Sequence, residues 1–317
     1  MGLRELADKV KEQIAKYIPM AYGKLDIQAC SIWKNNVEKI GITIRKEGED
    51  IAPAYWLNSM EGTAEEICRQ VAQAYIEQQQ ELYQVQESVQ REAGFMLDYS
   101  QVRTKLRCRV IGADGNREFL KGIVYRKVLN LAVAPYVELS SVNSIINVTR
   151  NFLEEWGVSE KQVLEDALKN MARKEAVLIS TAEGRGTQTE DMIPTMYMLS
   201  NREYVYGAFW MLDREKLKEI GNMLGSFTIL PSSINEVIIV ADAEVSGPEI
   251  QRLQEMEAMV REINAMEVPA EERLSNTVYH YDVERQILAI PLHGMEIPAR
   301  ELLSTGRDAK KQERRGR

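Results

Sequence analysis

Two carboxylates two residues apart, Asp242 and Glu244, follow the apolar run Asn235–Ala241. On an extended strand such a pair faces one way and could share a divalent cation, the arrangement of a metal-dependent hydrolase or nuclease. Glu190 and Asp191 are acids that could join them, but the lysine that nucleases usually add does not follow. Imidazoles come only from His280 and His293. Ser232 or Ser233 with His280 and one of many acids would compose a nucleophile set, yet no G-x-S-x-G elbow is present. Pro231–Ser232–Ser233 is turn chemistry, and Tyr279–His280–Tyr281 alternates like a strand face. Gly184–Arg185–Gly186–Thr187 has phosphate-binding flavour but lacks the P-loop lysine and the third glycine of a dinucleotide fingerprint. Glu190 and Asp191 beside it would repel phosphate.

The candidates for catalysis are therefore Asp242, Glu244, Ser232 and His280, and those for cofactor binding Gly184 and Gly186. No metal site is expected, because two isolated histidines and Cys30, Cys68 and Cys108, spaced 38 and 40 residues apart, do not supply zinc-ligand spacing. No cofactor is expected either. The balance leans away from an enzyme.

Positioning any such residues falls to a chain of 317 residues, long enough to bury a large core without disulfides or metals. Hydrophobic residues at 44% and charged residues at 28% are the composition of a globular protein. No apolar run approaches the roughly 20 residues of a membrane span, and the start lacks the core of a signal peptide, so the expected location is the cytoplasm. Net charge is −8. The last eleven residues carry six cations against Asp308 and Glu313, which leaves −12 on the rest. That body repels nucleic acid, so only the basic tail offers such a contact. The odd cysteine count favours reduced, buried thiols, and Trp33, Trp56, Trp156 and Trp210 read as core anchors.

Residues 3–17 carry a helical stripe, and Asp26–Trp33 and Glu38–Arg45 read as strands around the turn Lys34–Asn35–Asn36. Thr63 with Glu66 is a capping box opening a helix over 63–93, in which Cys68, Tyr75, Leu82 and Val89 recur every seven residues. That seam either packs within its own domain or pairs with a protein partner or a second copy. Tyr99–Ile111 fits helix or strand; Val124–Val137 is β-rich, with Pro135 marking a bend or an edge. Helices are expected at Asn143–Glu155 and Ser159–Arg173, then strands at Met196–Leu199, Thr228–Leu230 and Asn235–Ala241. Asp213 caps a helix over Arg214–Leu224, and Gly247–Pro248 opens one with the stripe Ile250, Leu253, Met256, Val260 and Ile263. Thr277–Asp282 and Gln286–Pro291 suggest a hairpin.

The expected class is α+β: two α/β layers joined by a long helix, with mixed or antiparallel sheets. The expected division is an α/β unit over 1–95, a mostly helical region over 96–175, an α/β unit over 176–305 and a disordered basic tail over 306–317.

Six stretches in order carry a family resemblance: KNNVEKIGITI (34–44), IAPAYWLNSMEGTAEEI (51–67), TKLRCRVIGADGNREFL (104–120), FLEEWGVSEKQVLEDALKNM (152–171), MYMLSNREYVYGAFWML (196–212) and SFTILPSSINEVIIVADAE (226–244). As a set they resemble the uncharacterised bacterial domain-of-unknown-function family 5688, over about residues 5–300. A fainter pattern, an apolar strand ending in Ala-Asp after a Pro and a polar turn, is similar to family 1444. Neither resemblance implies an activity, a cofactor or a catalytic residue. Asn235 stands where the pattern leads one to expect His, and Met171 where it leads one to expect Thr. The function read from the sequence is a non-catalytic protein-interaction or regulatory module; the alternative is a hydrolase or nuclease built on the acids near Asp242.

Overall fold

The computed structural model describes residues 2–48, 52–78, 94–139, 144–180 and 196–306. The chain divides into two compact units, residues 1–96 with 140–142, and residues 97–139 with 143–317.

In the first unit, α1 (Leu3–Gln13) buries Leu6, Ala7 and Val10 but leaves Leu3 exposed at its first turn. Strands β1 (Leu25–Lys34) and β2 (Val37–Lys46) pair antiparallel through ten residues each without a bulge. Asn36 makes the reversal with φ of 59°, a left-handed conformation that asparagine tolerates better than most residues. Strand β3 (Ala54–Trp56) adds to β2. Gly41 is required there, since a Cβ would sit 2.5 Å from the Tyr55 carbonyl oxygen. Ile40, Ile42 and Ile44 share the buried face of β2, because strand side chains alternate. Helix α2 (Ala64–Glu77) opens with the capping box: Thr63 Oγ1 accepts from the Glu66 amide at 3.3 Å, and Glu66 Oε2 accepts from the Thr63 amide at 2.7 Å. It lays Ile67, Cys68, Val71, Ala72 and Tyr75 into the core shared with α1 and the sheet. Full burial of each such Ile or Val contributes about 2 kcal/mol. The described part of the heptad seam is thus consumed inside its own unit; residues 79–93 lie outside the described residues.

In the second unit, both expectations for 99–111 hold in succession: α3 (Tyr99–Lys105), capped by Asp98, runs into β4 (Leu106–Gly112). After α4 (Arg117–Lys121) come β5 (Arg126–Val128), β6 (Leu131–Leu139) and β7 (Ser144–Asn147). Strand β6 lies between β4 on one side and β5 and β7 on the other. Pro135 therefore sits in a central strand rather than at an edge. Its missing N–H falls between the β5 pairing, which ends at Val133, and the β7 pairing, which begins at Tyr136. The stretch 96–175, expected to be mostly helical, thus holds a four-stranded sheet as well. The helix expected at 143–155 is confined to α5 (Arg150–Trp156), because Ile145 and Ile146 pair with β6. Helix α6 (Glu160–Met171) starts at Ser159, whose hydroxyl accepts from the Gln162 amide.

Strands β8 (Ala176–Ser180), β9 (Met196–Asn201), β10 (Phe227–Leu230), β11 (Val237–Ala241), β12 (Tyr279–Asp282), β13 (Ile287–Ile290) and β14 (Met295–Pro298) form one antiparallel sheet. Its order is β14-β13-β12-β10-β11-β9-β8. Residues Gly207–Leu212 form a fully buried 3-10 turn. It leads to α7 (Arg214–Leu224), whose Lys216 amide bonds Asp213 Oδ1 at 2.9 Å. Helix α8 (Glu249–Met266) crosses one sheet face, with Leu253 and Val260 packed against Leu230, Val240 and Val278. Ile250 and Ile263, expected in its apolar stripe, are exposed; Glu257 and Asn264 are buried in their stead. Asn264 bonds the Ser275 carbonyl, and Glu257 pairs with Arg261. The class is α+β, with antiparallel sheets and segregated helices.

Candidate functional site

Asp242 and His280, singled out separately in the sequence, meet in the second unit. Strands β10 and β11 pair Phe227 with Ala241, while β10 and β12 pair Thr228 with His280. The residue after Ala241 therefore emerges beside His280. Asp242 Oδ2 lies 2.8 Å from His280 Nε2, and Asp242 Oδ1 lies 3.6 Å from Arg252 Nη2, an ion pair rather than a hydrogen bond. Arg252 comes from the first turn of α8, so the carboxylate links the helix to the sheet. It was not visible as a partner in the sequence, since only the packing of α8 brings it there.

The imidazole is mostly covered and lines a groove of about 360 Å³, with Glu249, Asp282, Arg285, Ala289 and Glu296. The floor follows from register. His280 faces Ala289, and Ala289 faces Glu296, so a methyl group separates two longer side chains on one sheet face. Arg285 reaches Glu296 at 3.3 Å across the rim.

The other candidates are not brought in. The strand ends at Ala241, and Asp242–Glu244 form a 3-10 turn, in which residues two apart diverge. Glu244 is exposed and does not share a face with Asp242. Ser232 lies beyond the opposite end of β10 and donates to the Glu236 carbonyl at 3.2 Å; Ser233 bonds Glu236 Oε1 at 2.7 Å. Both hydroxyls are engaged in the turn. His293 is 3.3 Å from Glu257, away from Asp242. Gly184, Gly186, Glu190, Asp191 and the tail from 307 lie outside the described residues. Among the described residues no three His, Cys, Asp or Glu side chains cluster as a metal site, and no helix is long and apolar enough to cross a membrane.

The first unit presents a different feature. Trp33, expected in the core, is 39% exposed, and Ile32 beside it is 42% exposed. They lie on β1, which is the sheet edge, because β2 occupies the middle of the order β1-β2-β3. From Ile27 to Trp33 this strand has no charge, proline or bulge, the devices that normally protect an edge. Alternation places Asp26, Gln28, Cys30, Ile32 and Lys34 on one face, with Asp26 held by Arg45 at 2.5 Å.

No curated protein and no solved structure matches the chain. The model of DUF5688, a family of unknown function, matches residues 3–283, which take in nearly all the elements described above, and the chain belongs to that family.

Proposed function

We propose that this chain is a non-catalytic protein-interaction module of the bacterial cytoplasm that self-associates through β1. Three free cysteines accord with a reducing compartment. The observation that carries the reading is the regular ten-residue edge, uncharged from Ile27 to Trp33, with Ile32 and Trp33 partly exposed. An edge of this kind pairs with another strand. Antiparallel pairing of two copies about a two-fold at Cys30 sets Asp26 against Lys34 and Gln28 against Ile32. A two-fold one residue earlier, at Ala29, sets Asp26 against Ile32 and loses that charge match. The β1 edge replaces the 63–93 helix as the favoured surface, because the described part of that helix spends its apolar seam internally.

The test is the mass of the full chain by sedimentation, together with its Ile32→Lys variant. The expected result is a dimer in the wild type, a monomer in the variant, and a disulfide-linked dimer through Cys30 under mild oxidation. A wild type monomeric at about 100 μM, or a dimer indifferent to Ile32→Lys and not linked through Cys30, refutes the β1 interface. A dimer broken by Val85→Glu instead returns the interface to the heptad pattern read over 63–93.

The second reading is a metal-dependent hydrolase or nuclease, with Asp242 and His280 as its working pair; their 2.8 Å contact in a groove favours it. It requires a thermal shift with magnesium or manganese, and chelator-sensitive cleavage, both lost in Asp242→Ala. Its weakness is that Asp242 already faces His280 and Arg252 and that Glu244 points elsewhere.

A further inference from the structure

We propose that a second cavity, of about 680 Å³ in the second unit, binds a phosphorylated small molecule of nucleotide size. Its walls carry Arg117, Lys121, Lys127 and Arg150 against one acid, Asp114, with Tyr125 as an aromatic side and Ala113 and Leu120 as apolar surface. The volume lies within the range of small-molecule sites. Four cations around one hollow are notable in a chain of net charge −8.

Arg117 and Lys121 stand one turn apart on α4 and so share a face. Arg117 pairs with Asp114 at 3.4 Å, Lys121 with Glu118 at 2.6 Å and Arg150 with Glu160 at 3.5 Å. Glu118 and Glu160 do not line the cavity, and these exposed pairs are worth little against a ligand phosphate. Lys127 has no ion pair among the described residues.

The sheet behind adds a fixed positive charge. Arg109 pairs in register with Ala134, and Lys127 with Ala132. Ala132 and Ala134 are two apart on β6, so Arg109 and Lys127 lie on one face of this sheet. Arg109 is 8% exposed. Its guanidinium stands 5.4 Å from the ring centres of both Phe119 and Tyr206 and donates to Asn147 Oδ1 at 2.6 Å and to the Tyr206 hydroxyl at 3.3 Å. Its Nε is buried with no acceptor, and among the described residues no carboxylate pairs with it. A buried cation normally has an anion near it. Here neutral groups hold the arginine, which shares the sheet face of Lys127 without itself lining the cavity. An anionic ligand between Lys127 and α4 would meet the cations of the cavity directly, with phosphate oxygens accepting from Arg117, Lys121 and Lys127. Nothing in the sequence marked Arg117 and Lys121; β5 and α5 had to fold beside them to make a site.

Calorimetric titration of the full chain with ADP, with pyrophosphate and with a single-stranded decanucleotide tests the proposal. The variants are Arg117→Glu/Lys127→Glu, both on exposed side chains, and Lys218→Glu on α7 as a control. The expected result is ADP binding that Lys218→Glu leaves unchanged and the double variant weakens about tenfold or more. Should the double variant fail to fold, Lys127→Gln carries the test, with a severalfold loss expected. The proposal is overturned if neither ADP nor pyrophosphate binds, if the decanucleotide alone binds, or if the charge reversals leave ADP affinity unchanged.

Discussion

Replacing Asp213 by alanine should release the segment that closes the second unit. Asp213 is fully buried. Its Oδ1 accepts from the Lys216 amide at 2.9 Å, capping α7, and its Oδ2 accepts from the Thr305 amide at 3.1 Å. The main chain adds to the same junction, with the Arg214 amide donating to the Leu303 carbonyl and the Leu303 amide to the Leu212 carbonyl. Loss of the cap costs about 1 kcal/mol. Leaving the Thr305 amide unpaired in a buried site costs about 1–3 kcal/mol more. The sum, about 2–4 kcal/mol, corresponds to amide exchange at Thr305 and Lys216 faster by about 30- to 1,000-fold. Hydrogen exchange reads this locally and does not require the two units to unfold together.

The same residue gives a pH signature. Burial pushes the Asp213 carboxyl up to about 6, with the neighbouring Glu215 charge adding to the rise and the two amide bonds opposing it. The folded state therefore holds this proton more tightly than the unfolded chain, where an aspartate titrates near 3.9. Stability from this group is present at low pH and is lost as pH rises from about 4 through 6, by about 2–3 kcal/mol at most. Asp213→Asn cannot titrate. The wild type should therefore be more stable relative to Asp213→Asn at pH 4.5 than at pH 7, by urea denaturation. A wild type that gains on the variant as pH rises, or a Thr305 amide whose exchange changes less than about threefold in Asp213→Ala, refutes the reasoning.

Three other outcomes follow from local geometry. Gly207→Ala should cost about 3 kcal/mol or more in thermal denaturation, since its Cβ would lie 2.5 Å from the Asn235 carbonyl oxygen and 2.7 Å from the Asn201 amide nitrogen, and would also strike Ser200 Oγ. Thr228→Val should be neutral or raise stability by up to about 1 kcal/mol, because the hydroxyl is buried without a hydrogen-bond partner; a loss above that would mean the hydroxyl is bonded. Of the thiols, Cys30 should react first with a thiol reagent, because Cys68 and Cys108 are buried and burial pushes Cys108 up to about 12; equal rates for all three in the native state would contradict the burial described.

What local chemistry dictates was legible in the sequence. The Lys34–Asn36 reversal between two strands, the Thr63–Glu66 capping box, the Ser159 and Asp213 caps and the buried run at Val237–Ala241 each depend on neighbours within a few residues. The class followed from them. Tertiary structure decided whatever depends on which strand lies beside which. Pro135 tolerates the middle of a sheet because two short strands meet beyond it, and Ile145 and Ile146 form a strand because β6 has an edge to fill. Asp242 and Glu244 separate because the strand stops one residue before them. Asp242 instead finds His280, 38 residues on, through the pairing of β10 with both β11 and β12. Trp33 was read as a core residue from its apolar neighbours, yet an edge strand has only one neighbour to cover it, and the side chain stays partly exposed. Side-chain type and spacing set the local elements; register and sheet order, which depend on the whole chain's burial, set the sites.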